Sequence, residues 1–193
     1  IHNSANVDEV AAALIRGAFE YQGQKCSATA RVYAPQSMWS ALKEKLISEI
    51  ATIKVGDAEN RENLLAAVID KKAFDKISSY IEYAKNSDKA EIICGGKCDD
   101  SIGYFIEPTV ILTTDLNFKT MKEEIFGPVL TVYVYEDDKF EETLKECANS
   151  SKYALTGSIW SDDRNIINRA EDILKFAAGN LYVNDKSTGS VVG

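Results

Sequence analysis

Val129-Leu130-Thr131-Val132-Tyr133-Val134-Tyr135 is apolar at successive positions and rich in β-branched and aromatic side chains. A strand with one wet face alternates polar and apolar residues. This run does not, so it reads as a central strand covered on both faces. Its flanks extend the pattern. Downstream, Asp138 and Glu141 open a helix that buries Phe140, Leu144, Cys147 and Ala148, followed by a strand over Leu155–Trp160. Asp162 is expected to cap a further helix carrying Ile166, Ala170, Ile173 and Leu174, and Asn180–Asn184 is expected to be the next strand. Alternating strands and helices imply an α/β fold: one domain with a mostly parallel sheet and helices on both faces.

Upstream, apolar residues at Val7, Val10, Ala11, Leu14, Ile15 and Ala18 have the one-sided spacing of a helix, with Asn6 as cap and Glu9 placed to reach back to it. Ala30–Ala34 reads as a strand closed by Pro35. A helix follows over about 37–53 with Trp39, Leu42, Leu46 and Ile50 on one face, and Asp70 caps a third carrying Phe74, Ile77, Ile81 and Ala84. Glu91–Cys94 is a short strand stopped by Gly95-Gly96. Tyr104–Leu112 is extended but contains Pro108, which fits an edge strand or a loop-like crossing. In open sheets of this kind ligands gather beyond the carboxyl ends of the strands, so the small-residue tail after Asn184 is a candidate binding loop.

The totals narrow the function classes. The 193 residues carry a net charge of −8, from 30 acidic and 22 basic side chains. That balance argues against a nucleic-acid partner or an anionic membrane surface. No apolar run reaches the length of a membrane span, and no signal peptide opens the chain. The sequence starts on Ile1-His2-Asn3 and stops on Val191-Val192-Gly193, so it reads as a piece of a longer protein. Four cysteines and one histidine leave no plausible closed zinc site, so no metal is expected. A reducing compartment suits the free thiols better than a disulfide framework.

One cysteine stands out chemically. Gly23-Gln24-Lys25-Cys26-Ser27-Ala28 is a polar break between a helix and a strand. Gly23 permits a tight turn, Gln24 and Ser27 offer hydrogen bonds, and Lys25 sets a cation beside the sulfur, which favours a thiolate nucleophile. The alternative is a small buried hydrophobe, the usual role of a free cysteine.

The run Gly23–Arg31 resembles the active-site cysteine motif of the aldehyde dehydrogenase superfamily, and Glu123-Glu124-Ile125-Phe126-Gly127-Pro128-Val129 resembles its second signature. Val55-Gly56-Asp57, Gly95–Asp100, Gly103–Pro108 and Asn184–Gly193 are similar to the branch that oxidises L-glutamate γ-semialdehyde in proline catabolism. The resemblance covers essentially the whole chain and makes residues 1–193 a catalytic, cysteine-bearing domain, with the NAD-binding domain absent. It implies NAD as cofactor, a small semialdehyde as substrate, homo-oligomers and the mitochondrial matrix.

By that resemblance Cys26 is the catalytic nucleophile, Glu124 binds the nicotinamide ribose and Phe126 stands beside the nicotinamide. Ser27, Gly189 and Ser190 hold the substrate, the last two at its α-carboxylate. Without it, Glu124 reads first as a solvated acid near a helix end, and core packing for Phe126 and a frayed end for the Gly-Ser tail stay open. The sequence contains no Gly-rich dinucleotide turn between a strand and a helix. The superfamily's general-base glutamate and oxyanion asparagine would lie upstream, so the chain alone is expected to be inactive.

Overall fold

A computed structural model describes residues 1–189. Val129–Tyr135 is the interior strand β6 of a four-stranded sheet. In chain order the elements are α1 (Val7–Phe19), β1 (Arg31–Pro35), α2 (Gln36–Ile50), α3 (Lys71–Lys85), β2 (Ala90–Cys94), β3 (Cys98–Asp99), β4 (Phe105–Ile106) and β5 (Thr109–Thr113). They continue with α4 (Lys119–Lys122), β6, α5 (Phe140–Ala148), β7 (Thr156–Ile159), α6 (Arg164–Leu174) and β8 (Asn180–Val183). The main sheet runs β1-β6-β5-β2, with β6 parallel to both neighbours and β2 antiparallel at the edge. β7 and β8 pair in parallel as a separate ribbon, and β3 and β4 form a short antiparallel pair.

The lack of alternation in β6 has the expected cause. Val129 and Tyr135 point into a cluster with Ile77 and Ile81 of α3 and Leu144 of α5. Leu130 and Val132 point into the other cluster, with Leu14 of α1 and Leu42 and Leu46 of α2. Helices therefore cover both faces, and every position of the strand except Tyr133 and Val134 is buried. No helix among the described residues is long and apolar enough to cross a membrane.

Three local expectations change. Pro108 does not mark an edge: β5 lies between β6 and β2. The proline stands just ahead of the strand, so its missing N–H removes no ladder bond. Thr109 then opens the pairing, its N–H donating to Pro128 O. The cap of α6 is Asp163 rather than Asp162; its carboxylate accepts from the N–H groups of Asn165 and Ile166. Asn6 caps α1 by accepting from Asp8 and Glu9 N–H groups, without the reciprocal bond from Glu9.

Candidate active site

The two motif loops meet because β1 and β6 are parallel neighbours in a fixed register. Arg31 pairs with Thr131, and Cys26 and Phe126 stand equally far ahead of those two residues. Parallel strands send their leading loops out at the same end of the sheet, so the loops lie side by side. The carboxyl-end rule accounts for only one of the three loops. Cys26 and the Glu123–Gly127 turn sit at the amino ends of their strands, whereas only the 184–189 loop leaves a carboxyl end, that of β8.

Gly23 is the point of contact. After α1 the chain turns through three successive left-handed residues, Tyr21, Gln22 and Gly23, with φ of 56°, 57° and 64°. A Cβ on Gly23 would lie 2.2 Å from Gly127 O and 2.8 Å from Ala18 O. Only glycine allows the two loops to touch backbone to backbone. Opposite, Phe126 is itself left-handed, with φ of 64°. Such conformations cost about 1 kcal/mol or more each in non-glycine residues and persist where surrounding contacts fix them. Those contacts are present. Gln24 Oε1 accepts from Ile69 N–H at 3.0 Å. Tyr80 of α3 donates to Glu123 Oε2 at 2.6 Å, and Lys76 of α3 donates to Glu124 O at 2.8 Å.

Cys26, Glu124 and Phe126 line one cleft of about 230 Å³. Cys26 is the exposed member of the four cysteines. Burial pushes the Cys94, Cys98 and Cys147 thiols up. The Cys26 N–H has no backbone acceptor among the described residues, so it is free to donate to an oxygen bound at the sulfur. The Glu124 side chain is exposed and has no hydrogen-bonded or ion-paired protein partner among the described residues, and the Phe126 ring is 40% exposed beside it. A free carboxylate next to an open ring can accept from a vicinal diol and lie against a flat heterocycle.

The 184–189 loop reaches the same place from β8. Ser187 Oγ donates to Ser27 O at 3.0 Å and shares a 2.8 Å hydrogen bond with Thr29 Oγ1. Gly189 O accepts from Tyr182 OH at 2.7 Å. Ser27 and the segment leading to Gly189 are thus fastened to each other, although neither residue lines the cleft itself. Ser190 lies outside the described residues.

Sequence reasoning missed Glu20. It expected Lys25 to serve the sulfur, but Lys25 Nζ is held by Glu20 Oε1 at 2.7 Å. The same carboxylate oxygen accepts from Thr188 Oγ1 at 3.0 Å and faces Lys186 Nζ at 3.5 Å. Desolvation works to raise the Glu20 pKa. Hydrogen bonds from Lys25 and Thr188, with the positive charge of Lys186, overcome it and bring the carboxyl down to about 2. The only signal in the sequence was an acid at the end of an apolar helix face, three residues ahead of the turn glycine.

A doubly covered, mostly parallel sheet, with a cysteine loop pinned against an acidic and aromatic turn, is the arrangement expected of an aldehyde dehydrogenase. The chain belongs to the aldehyde dehydrogenase family, whose model matches residues 1–193. Among its relatives, the mitochondrial Δ1-pyrroline-5-carboxylate dehydrogenase of Dictyostelium discoideum is 57% identical over the whole chain and the Homo sapiens enzyme 50%. The chain spans 35% and 34% of the lengths of these two relatives. The Mycobacterium tuberculosis Δ-pyrroline-5-carboxylate dehydrogenase bound with NAD superposes with a TM-score of 0.92 at 46% identity, covering all of this chain and 35% of that one. The NAD-bound Thermus enzyme gives 0.86 at 35% identity, covering 98% and 35%.

Proposed function

We propose that the chain is the cysteine-bearing catalytic domain of a mitochondrial, NAD-dependent dehydrogenase that oxidises L-glutamate γ-semialdehyde, the hydrolysed form of Δ1-pyrroline-5-carboxylate, to glutamate in proline catabolism. The reading includes the matrix as location and a homo-oligomeric whole protein. One observation carries it. The exposed Cys26 lines one cleft with Glu124, whose side chain has no protein partner among the described residues, while the adjoining Ser27 is tied to the 184–189 segment through Ser187. A nucleophile, a diol acceptor and a loop of small residues for an acid head are thereby gathered from three distant parts of the chain.

The chemistry follows from these residues. The Cys26 thiolate attacks the aldehyde carbon to form a thiohemiacetal, and the Cys26 N–H holds the oxygen as charge develops on it. Glu124 and Phe126 fit the ribose and nicotinamide end of NAD, which when bound supplies the acceptor for the hydride lost in forming the thioester. Water then releases the acid and returns the thiol. Ser27 stands near the aldehyde end of the substrate, and Gly189 and Ser190 receive the α-carboxylate at its far end through close backbone N–H and hydroxyl donors.

The test is kinetic, on the whole protein. NADH formation from glutamate semialdehyde is expected to exceed that from acetaldehyde by at least about 100-fold in kcat/KM, an order of magnitude set by losing a charged, hydrogen-bonded head. Cys26→Ala is expected to abolish both. Equal efficiency on the two aldehydes would transfer the domain to a dehydrogenase of simple aldehydes.

A further inference from the structure

Glu20 lies outside the residues assigned to bond making, yet its carboxylate joins two loops of the site. It ends α1 and stands ahead of the left-handed turn. Its Oε1 meets two ammonium groups and a hydroxyl from two loops far apart in sequence: Lys25 from the nucleophile loop, and Lys186 and Thr188 from the loop after β8. Its Oε2 faces Arg16 Nε at 3.5 Å. Lys186 Nζ also donates to Thr188 Oγ1 at 2.8 Å, so the second loop is braced internally around the same carboxylate. The Glu20, Lys25 and Lys186 side chains are only 18%, 28% and 28% exposed, which limits solvent screening between them.

We propose that Glu20 is a positioning residue: its carboxylate clamps the Cys26 loop to the 185–189 loop and so sets the distance between the nucleophile and the place that receives the far end of the substrate. This rests on the substrate reading above, because a fixed spacing matters most for a substrate gripped at both ends. The neutral bonds of Ser187 to Ser27 and Thr29 join the same loops, but they cannot offset two ammonium groups converging on one point. Remove the carboxylate and Lys25 and Lys186 repel each other at short range. The loops then separate, carrying Gly189 away from Cys26.

The whole protein supplies the test. In Glu20→Ala, amide hydrogen exchange is expected to rise about tenfold or more in both 23–29 and 185–189. The kcat/KM for glutamate semialdehyde is expected to fall about 10- to 100-fold, mostly through KM, the size of loss that a misplacement of about 1 Å produces. The loss on acetaldehyde, which has no acid head to place, is expected to be at least about fivefold smaller. Adding Lys186→Met to Glu20→Ala removes the repulsion and is expected to restore part of the semialdehyde activity and slow the exchange again.

Unchanged exchange at 185–189 in Glu20→Ala would overturn the clamp. So would equal losses on both aldehydes with no recovery in the double variant, since that pattern marks a general loss of folding. If the wild-type protein fails to oxidise the semialdehyde, the substrate reading falls. The exchange comparison, which needs no substrate, still decides the clamp.

Discussion

At Gly23 a single hydrogen in place of a side chain lets two loops touch. Any other residue would have to accept a φ of +64° and displace the Gly127 carbonyl, which is held by its own strand. Gly23→Ala is therefore expected to cost at least about 2 kcal/mol, from conformational strain plus a backbone clash. Its thermal midpoint, compared with that of Gly17→Ala, checks the mechanism. At Gly17 the backbone is helical and the added Cβ meets first the Thr29 hydroxyl, a side-chain atom whose displacement costs its bond to Ser187 but no backbone strain, so the smaller loss is expected there.

Glu20 gives a prediction with a sign. Its folded pKa lies below the ordinary 4.5, near 2, so its stabilising contribution is complete above about 4.5 and disappears as pH falls to about 2. The Tm advantage of wild type over Glu20→Gln is expected to be constant at neutral pH and to shrink across that window. An advantage that persists at pH 2 would show that shape rather than charge is at work. Among the thiols, a limiting maleimide is expected to label Cys26 first in the native protein, because access and thiolate formation are both opposed by burial at Cys94, Cys98 and Cys147.

The element that organises these residues is β6. It is the shared wall of both cores, and its partner β1 sets the alignment of the two motif loops. Leu130 is fully buried, so Leu130→Ala is expected to cost about 2–5 kcal/mol, read as a lower denaturation midpoint. Elements of this kind were legible in sequence because their cause is local: a strand without alternation must be covered twice, and a one-sided helix must lie on something. The edge position of Pro108 was misread because strand order is a long-range fact; nothing near Pro108 reveals that β6, some twenty residues later, closes over its far side. The same reason hid the meeting of the Cys26 loop with the Glu123–Gly127 turn. A rule drawn from strand and helix alternation places ligands at carboxyl ends, and only the β1-β6 register shows that two leading loops converge. Glu20 was invisible for a further reason: its partners are Lys25, in view, and Lys186 and Thr188, brought near only by the fold.

At the scale of the molecule the site has two well-built sides. One is the Cys26 loop, hydrogen-bonded to the loop after β8; the other is the Glu123–Gly127 turn held by α3. Thioester hydrolysis also needs a base near neutrality to activate water. Glu20, with its pKa near 2, is a poor base, Glu123 is bonded by Tyr80, and His2 hydrogen-bonds with Ser4 and packs edge-on against Phe140. Glu124 is committed, in the proposed reading, to ribose hydroxyls. The sequence also offers no Gly-rich strand-to-helix turn of the kind that cradles a dinucleotide diphosphate. The 193-residue chain expressed alone is thus expected to fold, to retain a fast-labelling Cys26, and to produce no NADH from semialdehyde and NAD. The whole protein containing the same residues should do so readily. Turnover by the isolated chain would mean that a base and a dinucleotide cradle are both present within these residues, and would require a new reading of Glu123 and Glu124.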